Sequence, residues 1–436
     1  MKKNIILKKT LVFGTLVLFL GISVLPSTGM ILEYLPVDGF LGDTLYVGGN
    51  GPGNYTKIQD AIDNANEGDT IFVYDDSSPY QENIFINISI KLIGEDKSTT
   101  IIDANFNGHV MLINSPEVDV TGFTLKNSGG SIPGCAGIRI NSDNNNIYEN
   151  IFTDNYYGMK FFSSSYNNIV SNIILENDFF GIELSDSDHN YIHENEVINN
   201  DNIGIVLFSC DNNNISGNDI ISNGRGIDLY RSSYNEIYCN NVDDNGCGIY
   251  LGSSHGSTCY NAVRKNLAKN NIYGGITLEG KNDGIISYNV VTENIVEDNG
   301  MGIDLFSYTT ENEIYHNNII NNVFYDVMYN ARDYGENIWD NGEEGNYWSD
   351  YQEKYPNAHR SLIRPWVWNK PYELYPDGYN KDRYPLIKEW PEPVSKDIPG
   401  NHPNIFQFRF LNRFFELFPN TFPILRNLLE RVKILN

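Results

Sequence analysis

A right-handed parallel β-helix is the fold this sequence predicts, and two periodic signals and one exclusion predict it. A Gly followed by an apolar residue recurs at Gly137, Gly158, Gly181, Gly204, Gly226, Gly248, Gly275 and Gly302, in steps of 21, 23, 23, 22, 22, 27 and 27 residues. Between these glycines each repeat carries three asparagines five residues apart, from Asn145, Asn150 and Asn155 to Asn312, Asn317 and Asn322, in eight repeats of eight. Heptads, helical periodicity and a leucine-rich consensus are absent from the repeats, which leaves short stacked parallel strands.

Each Gly opens a strand whose first and third following residues are apolar, such as Ile182 and Leu184, Ile205 and Leu207, Ile227 and Leu229. Alternation of this kind buries one face. The asparagine triplets mark corners, because Asn tolerates a left-handed backbone and stacked amides hydrogen-bond from coil to coil. Three strands and three corners make one coil, and eight clear coils, over residues 137–325, stack into about 38 Å at ~4.8 Å per coil. Irregular earlier coils are expected from about Thr70 to Leu125, with strands near Ile71–Tyr74, Ile84–Ile93, Val110–Ile113 and Phe123–Leu125.

The ends differ from the body. Lys2, Lys3, Lys8 and Lys9 precede an apolar run from Leu11 to Leu25, the layout of a secretory signal peptide over residues 1–29 or of a retained anchor. The run is shorter than the ~20 residues of a spanning helix, which favours cleavage. LPSTG at Leu25–Gly29 has the form of a sortase signal but lies at the wrong end of the chain, and reads as coincidence. Net charge is −26, with +4 in the first nine residues and +3 after Gly400, so residues 10 to 400 hold −33. Such acidity argues against nucleic acid as a partner. Five cysteines allow at most two disulfides, of unreadable pairing, and Asn54, Asn87 and Asn214 begin N-x-S/T sequons. The tail, 401–436, places Phe406, Phe410, Phe414 and Leu417 at helical spacing and carries Arg409, Arg413, Arg426, Arg431 and Lys433. It reads as amphipathic helices that dock on the rod or attach to a membrane surface.

YTKIQDAIDNANEGDTIFVYDDSSPYQENIFI at Tyr55–Ile86, GFTL at Gly122–Leu125, the coils, and NIWDNGEEGNYWSDY at Asn337–Tyr351 resemble the NosD-type, periplasmic copper-binding-like β-helix family of the pectin-lyase-like superfamily. The resemblance covers about three quarters of the chain. It implies a β-helix over about 44–335 and a short helix, Ile58–Ala65, that covers the N-terminal sheet edge. It also implies a Trp/Tyr-rich cap over 336–400 in which Trp339, Tyr347 and Trp348 plug the far end. Family members often follow the Trp-Ser-Asp-Tyr segment with a DxDGDG-like loop suited to calcium. This chain keeps only the DRYPL ending, Asp382–Leu386. Calcium oxygen ligands would have to come from Asp340, Glu343, Glu344 and Asp350, and a hydrogen-bonded cap is the expected alternative; no cofactor is predicted.

The second residue after each Gly points outward: Arg139, Lys160, Glu183, Val206, Asp228, Tyr250, Thr277 and Asp304. Glu183, Asp228 and Asp304 are the catalytic candidates, and Glu183 and Asp228 lie two coils, roughly 10 Å, apart, a spacing that suits paired carboxylates. Polar residues on an outward strand are expected without any catalysis. Ser254–Ser257 only echoes a GHG motif, with no downstream Arg-Ile-Lys partner. Phe162, Phe208, Tyr230, Tyr250 and Phe306 are candidates for stacking on sugar, next to hydrogen-bonding groups. Copper would require clustered Cys, Met and His. His189 and His193 share a coil, and Cys239 and His316 share a slot three coils apart, so no metal cluster follows. These observations predict an exported envelope or cell-surface rod, extracellular or in a periplasm-like space. The rod is expected to be a noncatalytic scaffold or carbohydrate binder whose partners are a polysaccharide or an envelope component. The alternatives are a lyase or hydrolase of acidic polysaccharide and an accessory role in copper-site maturation.

Overall fold

The computed structural model describes residues 42–129, 134–325, 327–376 and 378–391. The segment read as a signal peptide, residues 392–400 of the expected cap and the tail lie outside the described residues. Among the described residues no helix is long and apolar enough to cross a membrane.

The described chain is a right-handed parallel β-helix of about 13 turns, built from three long parallel sheets of 15, 11 and 11 strands. A regular coil gives one strand to each sheet. In one coil the strand Phe180–Ser185 lies in the third sheet, Tyr191–His193 in the first and Glu196–Ile198 in the second. Register is kept from coil to coil, so that Ile147, Ile169, Ile192, Ile215 and Ile237 form one continuous inward row. All five side chains are wholly buried. The repeating glycines let coils approach closely: a Cβ on Gly181 would lie 2.5 Å from the Gly204 carbonyl oxygen and 2.8 Å from Val197 Cγ1.

The asparagines form three internal ladders, as expected, but they are not the left-handed residues. At every triplet position the preceding residue takes the positive φ, for example Ser171 (55°), Glu194 (57°) and Cys239 (56°), with Gly217 the glycine of the series. Its side chain is thrown outward while the Asn turns in and is buried. Asn195 shows the pattern. Its Oδ1 accepts from the backbone N–H of Asn172 at 3.0 Å and its Nδ2 donates to the Ile169 carbonyl at 2.9 Å and to Asn218 Oδ1 at 3.0 Å. A primary amide can donate and accept on one planar group, which is what a corner needs to satisfy backbone groups that no strand reaches. Asn330, just before the cap, and Asn337 and Asn346 within it add one further rung to the three ladders.

The first corner holds stacked rings in the left-handed position. Tyr234, Tyr260 and Tyr288 stand 5.0 and 5.2 Å apart, nearly parallel, and are about half exposed. Stacking offsets part of the cost of a bulky residue at positive φ. A smaller inward ladder runs from Ser164 through Ser187, Cys210 and Ser232, in which the side chains of Ser187, Cys210 and Ser232 each accept from the backbone N–H one coil back. Cys210 is therefore a buried ladder member, its thiol pushed up to about 12 by burial. All five cysteines are unpaired.

Several details differ from the sequence reading. Strand Ile84–Ile93 is two strands, Ile84–Ile86 and Lys91–Gly94, parted by a corner. The N-terminal helix ends at Asp63. It does cover the edge: the Gln59 side chain accepts from the Phe85 N–H at 2.8 Å and donates to the Phe85 carbonyl at 3.1 Å, replacing a neighbouring strand. The extra residues of the two long repeats lengthen Cys247–Ser253 and Gly274–Gly280 and add the short paired strands Ser257–Cys259 and Ile285–Ser287.

At the far end Trp339 and Trp348 are buried and Tyr347 is half-buried. Trp348 stacks on Tyr372 at 3.9 Å, and its Nε1 donates to Asp382 Oδ2 at 2.9 Å. Asp382 also accepts from the N–H groups of Asn346 and Tyr384, and Arg383 grips Asp340. Thus the DRYPL ending holds the cap by hydrogen bonds and one ion pair. Burial pushes the Asp382 carboxyl up to about 7, against the hydrogen bonds that favour its charge. A carboxyl raised in the folded state contributes most stability below its unfolded value and loses it as pH rises through 7. The melting temperature is therefore expected to fall between pH 5 and pH 8 through this group, and Asp382→Asn should fall less; equal slopes for the two proteins count against this assignment.

Candidate functional site

The outward row of the third sheet is continuous in register: Leu112, Arg139, Lys160, Glu183, Val206, Asp228, Tyr250, Thr277, Asp304, then Arg332. All of these side chains leave the interior, as alternation requires. The acids of the row are nonetheless buried, Glu183 at 6 %, Asp228 at 0 % and Asp304 at 1 % exposure, because long neighbours lie across them. The outward face is a second packed layer, not a bare surface.

Each candidate carboxylate has its own cation. Lys160 Nζ donates to both Glu183 oxygens at 2.9 and 3.0 Å, and Ser185 Oγ adds a third bond. Arg225 Nη1 donates to Asp228 Oδ2 at 2.9 Å and to the Tyr230 hydroxyl at 2.9 Å, with its guanidinium 4.8 Å from the centre of the Tyr250 ring. Arg332 grips Asp304 with two bonds, 2.7 and 2.5 Å. Val206 stands between Glu183 and Asp228 in the row. Burial pushes the Asp228 carboxyl up to about 6, opposed by Arg225, and raises that of Asp304, opposed by Arg332. Asp228 Oδ1 is buried without a hydrogen-bond partner among the described residues.

The aromatic candidates fall in two registers. Phe162, Ser185, Phe208, Tyr230 and Gly252 share one row, and Tyr250 belongs to the other. Phe162 is 44 % exposed, with Arg139 5.9 Å from its ring centre. Phe208 and Tyr230 stack at 5.5 Å and are half-buried, whereas Tyr250 is buried and its hydroxyl donates to Glu279 at 2.7 Å. Phe306 is half-buried under Arg332 at 5.0 Å. The Gly at 252 leaves room for the Tyr230 and Tyr250 rings, since a Cβ there would meet both within 3 Å.

Sequence reasoning missed the cations Arg225 and Arg332 and an external apolar cluster of Ala136, Tyr157, Phe180, Ile203 and Val206, flanked by Tyr156, Phe179, Phe208 and Tyr230. The signal was present: Tyr157, Phe180, Ile203 and Arg225 each directly precede a repeat glycine. These side chains also point out of the coil, and they pack on one another.

A family model described as periplasmic copper-binding protein (NosD) matches residues 62–262 and 258–353. A cell surface glycoprotein of Methanothermus fervidus is 33 % identical over 135 residues, which is 29 % of this chain and 21 % of that protein, so the match spans about a fifth of the relative. Among solved structures, the complex of XylC with xylose shares 11 % identity at TM-score 0.50, covering 73 % of this chain and 78 % of that one. Pectate lyase Pel9A shares 16 % at TM-score 0.46, covering 70 % and 82 %. At 11 % identity the XylC likeness speaks to fold alone.

The described residues do not fit a copper site. His189 stacks on Tyr166, His193 Nε2 is bonded to Asn168, and His316 is bonded to Glu344 and stacks on Trp390. Cys239 is exposed in the same corner row as His316 but three coils away, and Met159 is in the core. Among the described residues no three His, Cys, Asp or Glu side chains are grouped to hold a metal ion. The oxygen candidates of the cap are equally scattered: Asp340 pairs with Arg383, Glu344 with His316, and Asp350 accepts from Asn330 and Tyr372.

Proposed function

Because this chain belongs to the NosD family of β-helix proteins, we propose that it is a noncatalytic rod of the cell surface that binds carbohydrate along the outer face of its third sheet. The observation that carries this reading is the separate neutralisation of Glu183, Asp228 and Asp304 by Lys160, Arg225 and Arg332. Acid–base cleavage of a glycosidic bond needs two carboxylates converging on one bond, one free to give a proton and one free to take it or attack. Here the acids are held apart and held closed. What the face offers to solvent is Phe162 with Arg139 and the half-buried rings of Phe208, Tyr230 and Phe306. Rings next to hydrogen-bonding groups suit a pyranose, whose C–H face stacks while its hydroxyls bond. The matching segment of a cell surface glycoprotein and the periplasmic description of the family both support export.

One observation favours a second reading, a lyase or hydrolase: Asp228 keeps a buried oxygen without a partner and a carboxyl raised to about 6. On the first reading the full-length protein retains neutral or acidic oligosaccharides on a glycan array without altering them. Phe162→Ala, at an exposed position, should then weaken binding roughly two- to tenfold, the equivalent of about 0.5–1.5 kcal/mol. An array without any bound glycan, or binding indifferent to Phe162, removes the carbohydrate part of the proposal.

A further inference from the structure

The sequence carries three sequons, and the fold treats them differently. Asn54 lies in the turn that follows the strand Thr44–Val47, where its Nδ2 donates to the Gly48 carbonyl at 2.6 Å and its amide packs against Gly51. Asn214 opens the strand Asn214–Ser216, paired on both sides with Tyr191–His193 and Glu236–Tyr238, and the hydroxyl-bearing Ser216 is 4 % exposed. Asn87 directly follows the strand Ile84–Ile86, at the corner between the third and first sheets, and is exposed. Its corner row continues through Asn114 and Asn141, and there Asn141 Nδ2 donates to Asn114 Oδ1 at 2.9 Å. Asn87 stands at the end of that row, and among the described residues its amide has no hydrogen-bond partner.

We propose that Asn87 is a site of N-linked glycosylation and that Asn54 and Asn214 are not. The acceptor is a free amide at an exposed corner, with Ile88 and not proline at the next position and Ser89 at the one after. The donor class is a glycan carried on a lipid phosphate. A bond forms between Asn87 Nδ2 and the anomeric carbon as the bond from that carbon to the phosphate oxygen breaks. The amide nitrogen gives up one proton, the lipid phosphate leaves, and nothing is oxidised or reduced. A glycan at Asn87 projects from the corner into solvent without displacing a packed group. At Asn54 it would break the bond to Gly48, and at Asn214 the acceptor segment is held extended within a sheet with Ser216 buried.

Peptide mapping of the full-length protein isolated from its own cells tests this, because cleavage after Lys57, Lys91, Lys160 and Arg225 puts the three sequons on three different peptides. The peptide of residues 58–91 should carry a glycan mass, the Asn54 and Asn214 peptides should run at their unmodified masses, and Asn87→Gln should remove the glycan. Ser89→Ala, which leaves Asn87 in place, should remove it as well, and Ser89→Thr should retain it. If any variant fails to accumulate, the wild-type map decides alone. An unmodified 58–91 peptide, or glycan on Asn54 or Asn214, overturns the assignment.

Discussion

Asn195→Ala is expected to destabilise the rod by about 3–6 kcal/mol, the cost of leaving two buried backbone groups without partners. The Asn172 N–H loses its acceptor and the Ile169 carbonyl loses its donor, and both of these bonds are buried. Asn195→Asp keeps an acceptor but turns an oxygen toward the Ile169 carbonyl and Asn218 Oδ1, where the native amide donated. Its carboxyl will be raised by burial, so this variant should be less stable at pH 7 than at pH 4 relative to wild type. The adjacent Glu194, exposed and at φ 57°, gives the opposite result: Glu194→Gly relieves a left-handed residue and should gain about 0.5–1 kcal/mol. Thermal melting of the three variants checks the set, and a neutral Asn195→Ala would mean the ladder is not what closes the corners.

The second large effect separates the inner and outer layers. Ile227→Asp places a carboxylate in an apolar row of the interior, beside Ile205 and Ile249 in register, and should cost on the order of 5 kcal/mol or prevent folding. Asp228→Ala, one residue away, removes a buried carboxylate that already lacks one partner and leaves Arg225 still bonded to Tyr230 and reaching solvent. It should change stability by less than about 2 kcal/mol. Equal melting temperatures would show the inward and outward assignment to be wrong.

The fold was legible because each of its rules is local and repeated. Gly, alternation and Asn recur with the coil, and any one coil taught the rest. The site was less legible for a physical reason: outward does not mean exposed. Alternation places Asp228 and Glu183 outside the coil, but their burial depends on Arg225 and Lys160, whose reach along the sheet no periodicity encodes. Asp304 depends on Arg332, which comes from a coil beyond the last repeat glycine. The left-handed corner residue was hidden by its variability. Ser171, Glu194, Gly217 and Cys239 share a conformation and no chemistry, while the invariant Asn beside them shares chemistry and not the conformation.

The central claim, that the outer carboxylates are structural ion pairs on a noncatalytic surface, is tested most directly by incubating the full-length protein with a panel of acidic and neutral polysaccharides and following reducing ends and unsaturated uronates. The account predicts neither product from any member of the panel. Reproducible cleavage that Asp228→Asn abolishes, in a variant that melts like wild type, would contradict it.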